Sequence, residues 1–526
     1  MPRPVSIDRG DLRLGHLTSV ARGRAQVVLG PEALSRIAAS REVVERAVAV
    51  GAVVYGVTTG FGRFSDVVLP PADAKTLQRN LIVSHATGVG PPFGADIVRG
   101  MLLLRANALA LGHSGVRPAV VETLIEMLNR GVHPVVPQQG SLGASGDLAP
   151  LAHLALVAIG EGLAHVPGRS EPVSGREALA AVGLEPLVLE AKEGLALING
   201  TQAMTATLGL ALGDAFLLVE AATVAAALTL EALRGVRDAF DARIAKVRPH
   251  PGQAMVAERV RSLIEGSRYT TGAAELRVQD AYCLRCVPQV HGAVFDTLAW
   301  AARVVETEMN AVTDNPLVFP AEAGDPGREV EAILSGGNFH GEPVAFAGDF
   351  AGIALAELAN ISERRTARLV DPACSAGLPA FLTQRGGLNS GFMLVQYTAA
   401  ALVSENKLLA SPASVDSIPS SAGQEDHVSM GTIAARKARD IAANTARVVA
   451  AELLTAAQAI DLRGGLEGVA EPGSDPSGLA APLGRGTRPP YLAIRRAAPF
   501  LGDDRSLSGD IERLAALVLD GQFRWE

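Results

Sequence analysis

The most apolar stretch of the chain, residues 204–233, constrains the fold more than any other feature. It consists mainly of Ala, Leu, Val and Thr, and only Asp214, Glu220 and Glu231 interrupt it. Ala and Leu favour a helix. Because carboxylates interrupt the stretch, we interpret it as a buried helix of a soluble protein rather than a membrane span.

The composition extends this prediction to the whole chain of 526 residues. Hydrophobic residues make up 48% of the chain and aromatic residues only 4%, so the apolar content is mainly Ala, Leu and Val. Scarce aromatic residues argue against a β-sandwich or barrel, and few turn clusters occur between residues 201 and 465. We therefore predict an all-α fold with a core of long helices, and the length allows two to four domains.

The charge and the cysteine content exclude several classes of protein. The formal net charge is −8, and no basic block or basic amphipathic stretch points to nucleic acid or to a membrane surface as a partner. Three cysteines without regular spacing favour a reducing compartment. The N-terminus has no apolar core of signal-peptide type. We expect a cytoplasmic protein without a metal, since Cys283 and Cys286 form a single pair, which is a weak ligand pattern.

A glycine-rich segment, residues 140–151, has a chemical property that ordinary loops lack. It reads Gly-Ser-Leu-Gly-Ala-Ser-Gly-Asp-Leu-Ala-Pro-Leu, and such spacing of glycine describes a very tight turn. If the Gly146 amide nitrogen reaches the Ala144 carbonyl carbon, a ring can close. Loss of two waters then leaves a methylidene carbon at Ser145, which is a strong electrophile. The motif of a phosphate-binding loop is missing from this segment, which disfavours that interpretation. Ala-Ser-Gly alone is also compatible with a plain turn that leads into a helix.

The whole segment resembles the internal cofactor segment of the aromatic amino-acid ammonia-lyases, in which Ala-Ser-Gly cyclises to methylidene-imidazolone. The resemblance runs from about residue 10 to residue 520. It implies that Ala144, Ser145 and Gly146 form the cofactor, that Ser145 becomes 2,3-didehydroalanine, and that no external cofactor is needed. It also implies the long-helix bundle that the family shares with the fumarase group. We expect a cofactor-bearing part at residues 1–196, followed by the bundle and short C-terminal helices at 197–526.

Two segments near the N-terminus carry the next motifs. Residues 55–62 read Tyr-Gly-Val-Thr-Thr-Gly-Phe-Gly and match the family's tyrosine loop, which implies that Tyr55 is the catalytic base. Many histidine-specific members have Asn where this chain has Thr58. The pair Ser84-His85 is similar to the histidine-specific version of the position that faces the substrate's ring, so His85 is a predicted substrate-binding residue. From the residues alone, Tyr55 could be a packing residue and His85 a structural one.

The middle of the chain supplies polar residues for the substrate. Asn199 precedes the long apolar helix and could be its N-cap, but the resemblance implies contact with the cofactor or with the substrate carboxylate. Gln279, Tyr282 and Arg285 fall on one face of a predicted helix. A guanidinium binds a carboxylate in bidentate geometry, so Arg285 is predicted to hold the substrate carboxylate. The resemblance implies that Gln279 and Tyr282 line the site beside it.

The remaining motifs lie in the second half of the chain. Phe339, in Gly-Gly-Asn-Phe-His-Gly-Glu, is at the position that packs on the substrate in the family, and His340 is interpreted as structural. Glu425 lies in Gln-Glu-Asp-His-Val-Ser-Met, which resembles the histidine-specific version; relatives acting on phenylalanine or tyrosine usually carry Gln there. We expect Glu425 to bind the substrate imidazole. As a bare pattern, Glu-Asp-His is also a common acidic start of a helix.

Several elements are predicted from pattern alone. We expect a strand at 26–29, a loop-rich region at 160–186, and loops at 320–330 and 463–490. Helices are expected at 31–50, 77–83, 93–112, 117–130, 491–499 and 508–520.

The resemblance implies non-oxidative loss of ammonia from L-histidine to give urocanate, catalysed by a homotetramer with shared active sites. Three alternatives stay open at this point. The protein could act on tyrosine or phenylalanine, or be an aminomutase that returns the amine to the β-carbon. It could also be a non-catalytic helical scaffold or a relative of the fumarase group. Intact Ala144-Ser145-Gly146 together with Tyr55 and Arg285 argues against the scaffold.

Overall fold

The computed structural model describes residues 3–68, 70, 73–320, 332–464 and 482–525. Over these residues the protein is built mainly of helices, which confirms the predicted all-α class. The loops predicted at 320–330 and 463–490 lie for the greater part outside the described residues.

Two compact units make up the chain, and each draws on three stretches of sequence. Unit 1 comprises Met1–Gly213, Ala301–Asp349 and Pro412–Arg436, and unit 2 comprises Asp214–Trp300, Phe350–Ser411 and Lys437–Glu526. The predicted division between residues 196 and 197 is a division along the sequence, and it stays a prediction.

Among the described residues, the α-helices that lie wholly in unit 1 are α1 Leu14–Ala21, α2 Pro31–Ala49, α3 Ala74–His85, α4 Ala95–Ala110, α5 Pro118–Arg130, α6 Leu148–Ala158, α7 Gly175–Ala181 and α8 Glu193–Ile198. The later helices of the described chain are α9 Gln202–Ala232, α10 Ala242–Val247, α11 Pro251–Leu263, α12 Tyr282–Arg285, α13 Val287–Met309, α14 Glu342–Val370, α15 Met393–Leu409, α16 Gly431–Arg463, α17 Arg488–Ala497 and α18 Ser508–Leu519.

All the strands of the described chain are short and lie in unit 1. They are β1 Val5–Ile7, β2 Val27–Leu29, β3 Val89–Pro92, β4 His133–Pro134, β5 Pro137–Gln139, β6 Leu163–His165, β7 Val173–Ser174, β8 Leu317–Val318 and β9 Ile333–Leu334. The pair β1–β2 is parallel, whereas β3–β5, β4–β6–β7 and β8–β9 are antiparallel. Each sheet has two or three strands, so none of them forms the core.

The apolar stretch at residues 204–233 folds as α9, and all its Ala and Leu side chains except Leu217 are almost completely buried. Within the described residues, α9 and α14 are long and apolar enough to cross a membrane, but 72% and 67% of their most apolar windows are buried inside the protein. Burial of this extent is typical of core helices, as predicted for α9.

Most elements predicted from local pattern are confirmed within a few residues, namely β2, α2, α3, α4, α5, α17 and α18. The prediction of a loop-rich region at 160–186 is wrong in part, because β6, β7 and α7 lie there. Ser174 and Glu177 form a capping box that starts α7. The strands β6 and β7 are only three and two residues long, so they leave little periodicity in the sequence.

One part of the core positions the tyrosine loop. Val43, Val44 and Ala47 of α2 pack with Val54 and Val57 and with residues of β8 and β9. Val54 and Val57 are 5% and 1% exposed, so both flanks of Tyr55 are anchored in this cluster. The residue between these anchors is therefore held in place by apolar burial on either side.

Candidate active site

A cavity of about 1120 Å³ in unit 1 brings together residues from the whole length of that unit. Six of the residues predicted from the sequence line it: Tyr55, His85, Ser145, Asn199, Phe339 and Glu425. The lining is mixed, since Leu81, Leu148 and Leu195 contribute apolar walls beside these groups. A concave, largely apolar cavity with a few converging polar side chains is the usual form of a small-molecule site.

Tyr55 stands half-buried at the entrance of its loop. Its hydroxyl oxygen accepts a hydrogen bond from the Gly62 amide at 3.4 Å. Burial raises the pKa of Tyr55, the Gly62 N–H opposes this rise, and the negative charge of Glu425 adds to it. Gly56 has φ +67°, and a Cβ there would lie 2.4 Å from Leu195 Cδ2, so the loop requires glycine beside the tyrosine.

Thr58 holds the start of the same loop. Its hydroxyl donates to the Ala52 carbonyl at 2.7 Å and accepts from the Val54 amide at 2.9 Å. The Thr58 side chain thus holds the loop closed by hydrogen bonds to the backbone of the residues that precede it. It does not line the cavity.

The Ala144-Ser145-Gly146 tripeptide occupies a tight turn. Gly143 and Gly146 pair across it as an antiparallel bridge, and both have positive φ. A Cβ on Gly146 would lie 2.2 Å from the Gly200 carbonyl oxygen, so no side chain fits there. These features are what ring closure between residues 144 and 146 requires: compact backbone, no side chain on the attacking residue, and Ser145 on the cavity wall. The residues present therefore fit a methylidene-imidazolone.

Asp147 anchors this turn, and sequence reasoning assigned it no role. Its fully buried carboxylate accepts hydrogen bonds from Ser141 Oγ at 3.1 Å, from the Met204 amide at 2.8 Å, and from the Thr432 hydroxyl. Burial raises the pKa of Asp147, and these hydrogen bonds oppose the rise. The Asp147 amide donates to the Gly200 carbonyl at 2.7 Å. The turn is thus held by partners far away in sequence, which explains why local pattern did not reveal them.

Glu425 lies beside Ser145 in the lining of the cavity. Ser145 Oγ donates to Glu425 Oε1 at 3.4 Å, and Ser420 Oγ donates to Oε2 at 3.1 Å. The alternative that Glu425 caps a helix is wrong, because the next helix, α16, begins only at Gly431. Glu425 lies instead in a turn whose backbone pairs residue 420 with residue 425.

His85 is the last residue of α3. Its Nδ1 lies 2.8 Å from the Leu81 carbonyl oxygen, which can only accept, so Nδ1 carries the proton of the neutral ring. The other nitrogen, Nε2, is then left as an acceptor. Glu425 and His85 thus give the cavity two hydrogen-bond acceptors of the kind that an N–H-bearing ring needs.

Asn199 and Phe339 are both fixed by the segment around Asn315. Asn199 follows α8 and lies before the start of α9, so the N-cap alternative is wrong. Its side-chain amide donates to the Asn315 carbonyl at 3.0 Å. The Asn315 side chain accepts from the Gly336 amide at 2.7 Å, which holds the segment that leads to Phe339.

Gln279, Tyr282 and Arg285 belong to unit 2 and are not among the residues that line the cavity. The prediction of one helical face is wrong at its start, because helix α12 begins at Tyr282 and Gln279 precedes it. The Arg285 guanidinium carbon lies 4.5 Å from the centre of the Tyr282 ring. Arg285 Nε is buried without a hydrogen-bond partner in the described chain. Their predicted roles stay predictions.

His340 and His427 flank the site, with ring centroids 5.3 Å apart, and lie with Glu342 close enough to reach one metal ion. The Glu342 amide donates to His340 Nδ1 at 3.3 Å, which leaves the proton of the neutral His340 ring on Nε2. That nitrogen is 3.2 Å from His427 Nδ1. Because hydrogen bonds account for both rings, we base no metal proposal on this cluster.

Comparison with known proteins places the chain in a family. The profile of a family described as aromatic amino acid lyase matches residues 12–478. Histidine ammonia-lyase of Alkaliphilus metalliredigens is 55% identical over 518 residues, which cover 98% of this chain and 97% of the relative.

Solved structures agree with this assignment. Histidine ammonia-lyase from Trypanosoma cruzi is 41% identical with a TM-score of 0.86, and the match covers 99% of this chain and 94% of that one. Tyrosine aminomutase from Streptomyces globisporus is 41% identical with a TM-score of 0.90, and the match covers 99% and 97%. The resemblance stated from the motifs is thereby confirmed. Because the profile spans most of the chain and a relative more than half identical is covered almost end to end, this chain belongs to the aromatic amino acid lyase family.

Proposed function

We propose that this protein is a carbon–nitrogen lyase that converts L-histidine to urocanate and ammonia. The observation that carries the proposal is the cavity in which Tyr55, Ser145 and Glu425 meet, with Ser145 Oγ 3.4 Å from Glu425 Oε1. Relatives at 53–55% identity that are named histidine ammonia-lyase support histidine over tyrosine or phenylalanine.

We infer that Ala144, Ser145 and Gly146 form a methylidene-imidazolone, on which members of this family generally depend. The tight turn and the absence of room for a side chain at Gly146 support this. The group supplies an electrophile that makes the substrate's amine a better leaving group. Mass spectrometry of the intact protein tests the proposal: the mass falls short of the sequence mass by two waters. Ser145→Ala abolishes the deficit, whereas Ser35→Ala, at an exposed serine on α2, retains it.

The residues of the cavity have separate tasks in the elimination. Tyr55, as general base, takes the proton from the β-carbon, the electron pair of that C–H bond forms the new double bond, and ammonia leaves from the α-carbon. General base catalysis of this kind contributes roughly 10²–10⁴-fold. The protonated imidazole donates one N–H to Glu425 and the other to His85, and Phe339 packs against the substrate. These contacts orient the β-carbon toward Tyr55.

The substrate carboxylate needs a cation, and we propose Arg285, assisted by Gln279 and Tyr282. Arg285 Nε has no partner in the described chain, which leaves part of the guanidinium available. As the family resemblance implies, we propose a homotetramer in which neighbouring copies complete each site. Exposed apolar side chains on α15, Leu394, Tyr397 and Leu408, would be covered by such assembly. We further propose that the enzyme works in the cytoplasm and needs no external cofactor.

Product analysis tests the reaction. The purified protein is incubated separately with histidine, tyrosine and phenylalanine, and the products are identified by chromatography and mass spectrometry. We expect urocanate from histidine at far higher efficiency than coumarate or cinnamate from the other two. Accumulation of a β-amino acid would identify an aminomutase instead, and absence of any product from a protein that carries the two-water mass deficit would contradict the proposed substrate class.

A further inference from the structure

A buried ion pair lies directly behind Asn199. Lys192 Nζ is 2.6 Å from Asp314 Oδ2, and both side chains are completely buried. Removing two charges from water is unfavourable, so a pair of this kind is weak as a source of stability. The unfavourable burial of these two charges is better explained if the pair has a further function. The reaction proposed above does not involve Lys192 or Asp314.

The second carboxylate oxygen of Asp314 reaches the site. Asp314 Oδ1 accepts from the Asn315 amide at 2.7 Å and from Asn199 Nδ2 at 3.4 Å. Asn199 Nδ2 also donates to the Asn315 carbonyl at 3.0 Å. Both neighbours of this nitrogen are acceptors, and one of them is charged. A flipped Asn199 amide would place its own oxygen against a carboxylate and a carbonyl, so the orientation is fixed by chemistry.

The other end of the same amide has no partner among the residues that the structure describes. Asn199 Oδ1 is buried without a hydrogen bond to any of them, although Asn199 lines the cavity. The backbone of Asn199 is held as well, because Arg105 Nη1 donates to its carbonyl at 2.7 Å. An acceptor that is fixed, buried and unpaired at a cavity wall is suited to a ligand that brings a donor.

We infer that Lys192 and Asp314 are positioning residues that fix Asn199 with its oxygen, an acceptor, available to the substrate's α-amino group. This inference rests on the proposed function, and it replaces the substrate carboxylate as the predicted partner of Asn199. The ring N–H groups of histidine are assigned to Glu425 and His85, so the α-amino group is the donor that remains for Asn199, whereas the carboxylate can only accept. Lys192 neutralises Asp314, and Asp314 holds the Asn199 nitrogen away from the cavity.

Two substrate fragments separate the alternatives. Histamine has the imidazole and the amino group without the carboxylate, and 3-(imidazol-4-yl)propanoate has the carboxylate without the amino group. Their inhibition constants against histidine, or their affinities by calorimetry, are compared between wild type and Asn199→Ala. We expect histamine to bind about tenfold more weakly to the variant, equivalent to about 1.4 kcal/mol, while the affinity for the propanoate stays within about twofold. Selective loss of the propanoate, or equal loss of both, would overturn the inference.

The positioning role needs a second variant. In Asp314→Asn the new amide can donate to Asn199, which permits the Asn199 side chain to flip, and the double variant Lys192→Met/Asp314→Asn removes both buried charges together. We expect either protein to lose affinity for histamine relative to the propanoate by about tenfold. Asn107→Ala, at another buried amide whose Nδ2 donates to the Met309 carbonyl at 2.9 Å, is the matched control and leaves the ratio unchanged.

The two failures are distinguishable. A wild-type protein that produces no urocanate contradicts the proposed function, whatever the fragments do. A wild-type protein that produces urocanate, with a histamine-to-propanoate ratio unchanged in the double variant, contradicts the role of Lys192 and Asp314 alone. Thermal unfolding of each variant is recorded alongside, and the ratio of two affinities in one sample is insensitive to the fraction that is folded.

Discussion

Glu425 brings a carboxylate into a half-buried position where Ser420 Oγ donates to it at 3.1 Å, and its other donor, the Ser145 hydroxyl, is lost when Ser145 is dehydrated. A buried carboxylate without a donor from the ligand is left incompletely solvated, so the side chain favours a substrate ring with an N–H and disfavours a phenyl ring. The selectivity of the site is therefore expected to depend on this one residue more than on the apolar wall.

Glu425→Gln tests that expectation. The ratio of kcat/KM for histidine to kcat/KM for phenylalanine should fall by roughly tenfold or more, because about 1.4 kcal/mol of discrimination is lost. Competition between the two substrates in one reaction measures the ratio directly. Asp426→Asn, at the adjacent exposed carboxylate, is the matched control. An unchanged ratio in Glu425→Gln, even at a lower rate, would leave Glu425 no part in choosing the substrate.

The pKa of Tyr55 predicts how kcat/KM for histidine depends on pH. Burial raises its pKa, and the negative charge of Glu425 adds to the rise. A base acts when deprotonated, so kcat/KM for histidine should increase with pH along a limb set by Tyr55. Glu425→Gln removes the charge and lowers the pKa of Tyr55, which shifts the limb to lower pH, while Asp426→Asn does not. A shift to higher pH would be incompatible with Tyr55 as the base beside Glu425.

The residues of the site could be predicted from the sequence where they belong to a motif that is specific for their chemistry. Six residues predicted in this way line one cavity. Asp147, Thr432 and Asp314 were missed for a physical reason. Asp147 and Thr432 are 285 residues apart, and Lys192 and Asp314 are 122 apart, so only the folded chain brings each pair together. Each of these residues alone is a commonplace polar residue in the sequence.

The turn at residues 143–146 is the element on which the chemistry depends. Gly146 has φ +72°, a conformation that disfavours a side chain, and a Cβ would meet the Gly200 carbonyl oxygen at 2.2 Å. Gly200 is itself confined, because a Cβ there would lie 2.3 Å from Arg105 Nη1. The backbone is therefore confined on both sides of this contact, at Gly146 and at Gly200.

Gly146→Ala should therefore open the turn and prevent ring closure. We expect an intact mass equal to the sequence mass and loss of urocanate production, and circular dichroism shows whether the variant is folded. Gly168→Ala, at an exposed turn where a Cβ would meet nothing within 4 Å, also has positive φ and is the matched control. A Gly146→Ala protein that retains the two-water deficit would contradict the role given to the turn.

At the scale of elements, helices were predicted well because apolar periodicity and proline or glycine at their ends are local signals, as for α2 and α5. The short strands were not, since two or three residues cannot show a period. The start of α12 at Tyr282 was missed as well, because the polar residues before it fit a helix by spacing, although 274–281 is non-helical.

The whole molecule is proposed to be a tetramer with shared sites, and subunit mixing tests this. Tyr55→Phe and Arg285→Ala subunits, each inactive alone, are co-expressed with different affinity tags and purified through both. If Tyr55 and Arg285 of one site come from different copies, random assembly restores about one quarter of wild-type activity. No restored activity in doubly tagged protein would mean that one chain supplies both residues. Sedimentation of the wild type should show four copies of the 54.4 kDa chain.

Acid should destabilise the protein through histidines that the fold holds uncharged, His133 half-buried and His291 fully buried. Burial and the charge of Arg99 lower the pKa of His133 to about 4, and Arg99 Nη1 donates to its Nε2 at 3.3 Å. Burial also lowers the pKa of His291, which is fully enclosed and faces Arg365. Between about pH 6.5 and pH 4 the unfolded chain binds protons at these positions that the folded chain does not. The free energy of unfolding therefore rises with pH in that window and falls on acidification.

The measurement is urea unfolding of the full chain at intervals from pH 7 to pH 4. His133→Gln retains an acceptor for Arg99 but cannot be protonated, so the free energy of unfolding should decline less steeply with acid than in the wild type. His250→Gln, at an exposed histidine, is the matched control. Equal slopes for wild type and His133→Gln would mean that His133 is not held uncharged by the fold, and acid sensitivity would have to be sought in other groups such as His291.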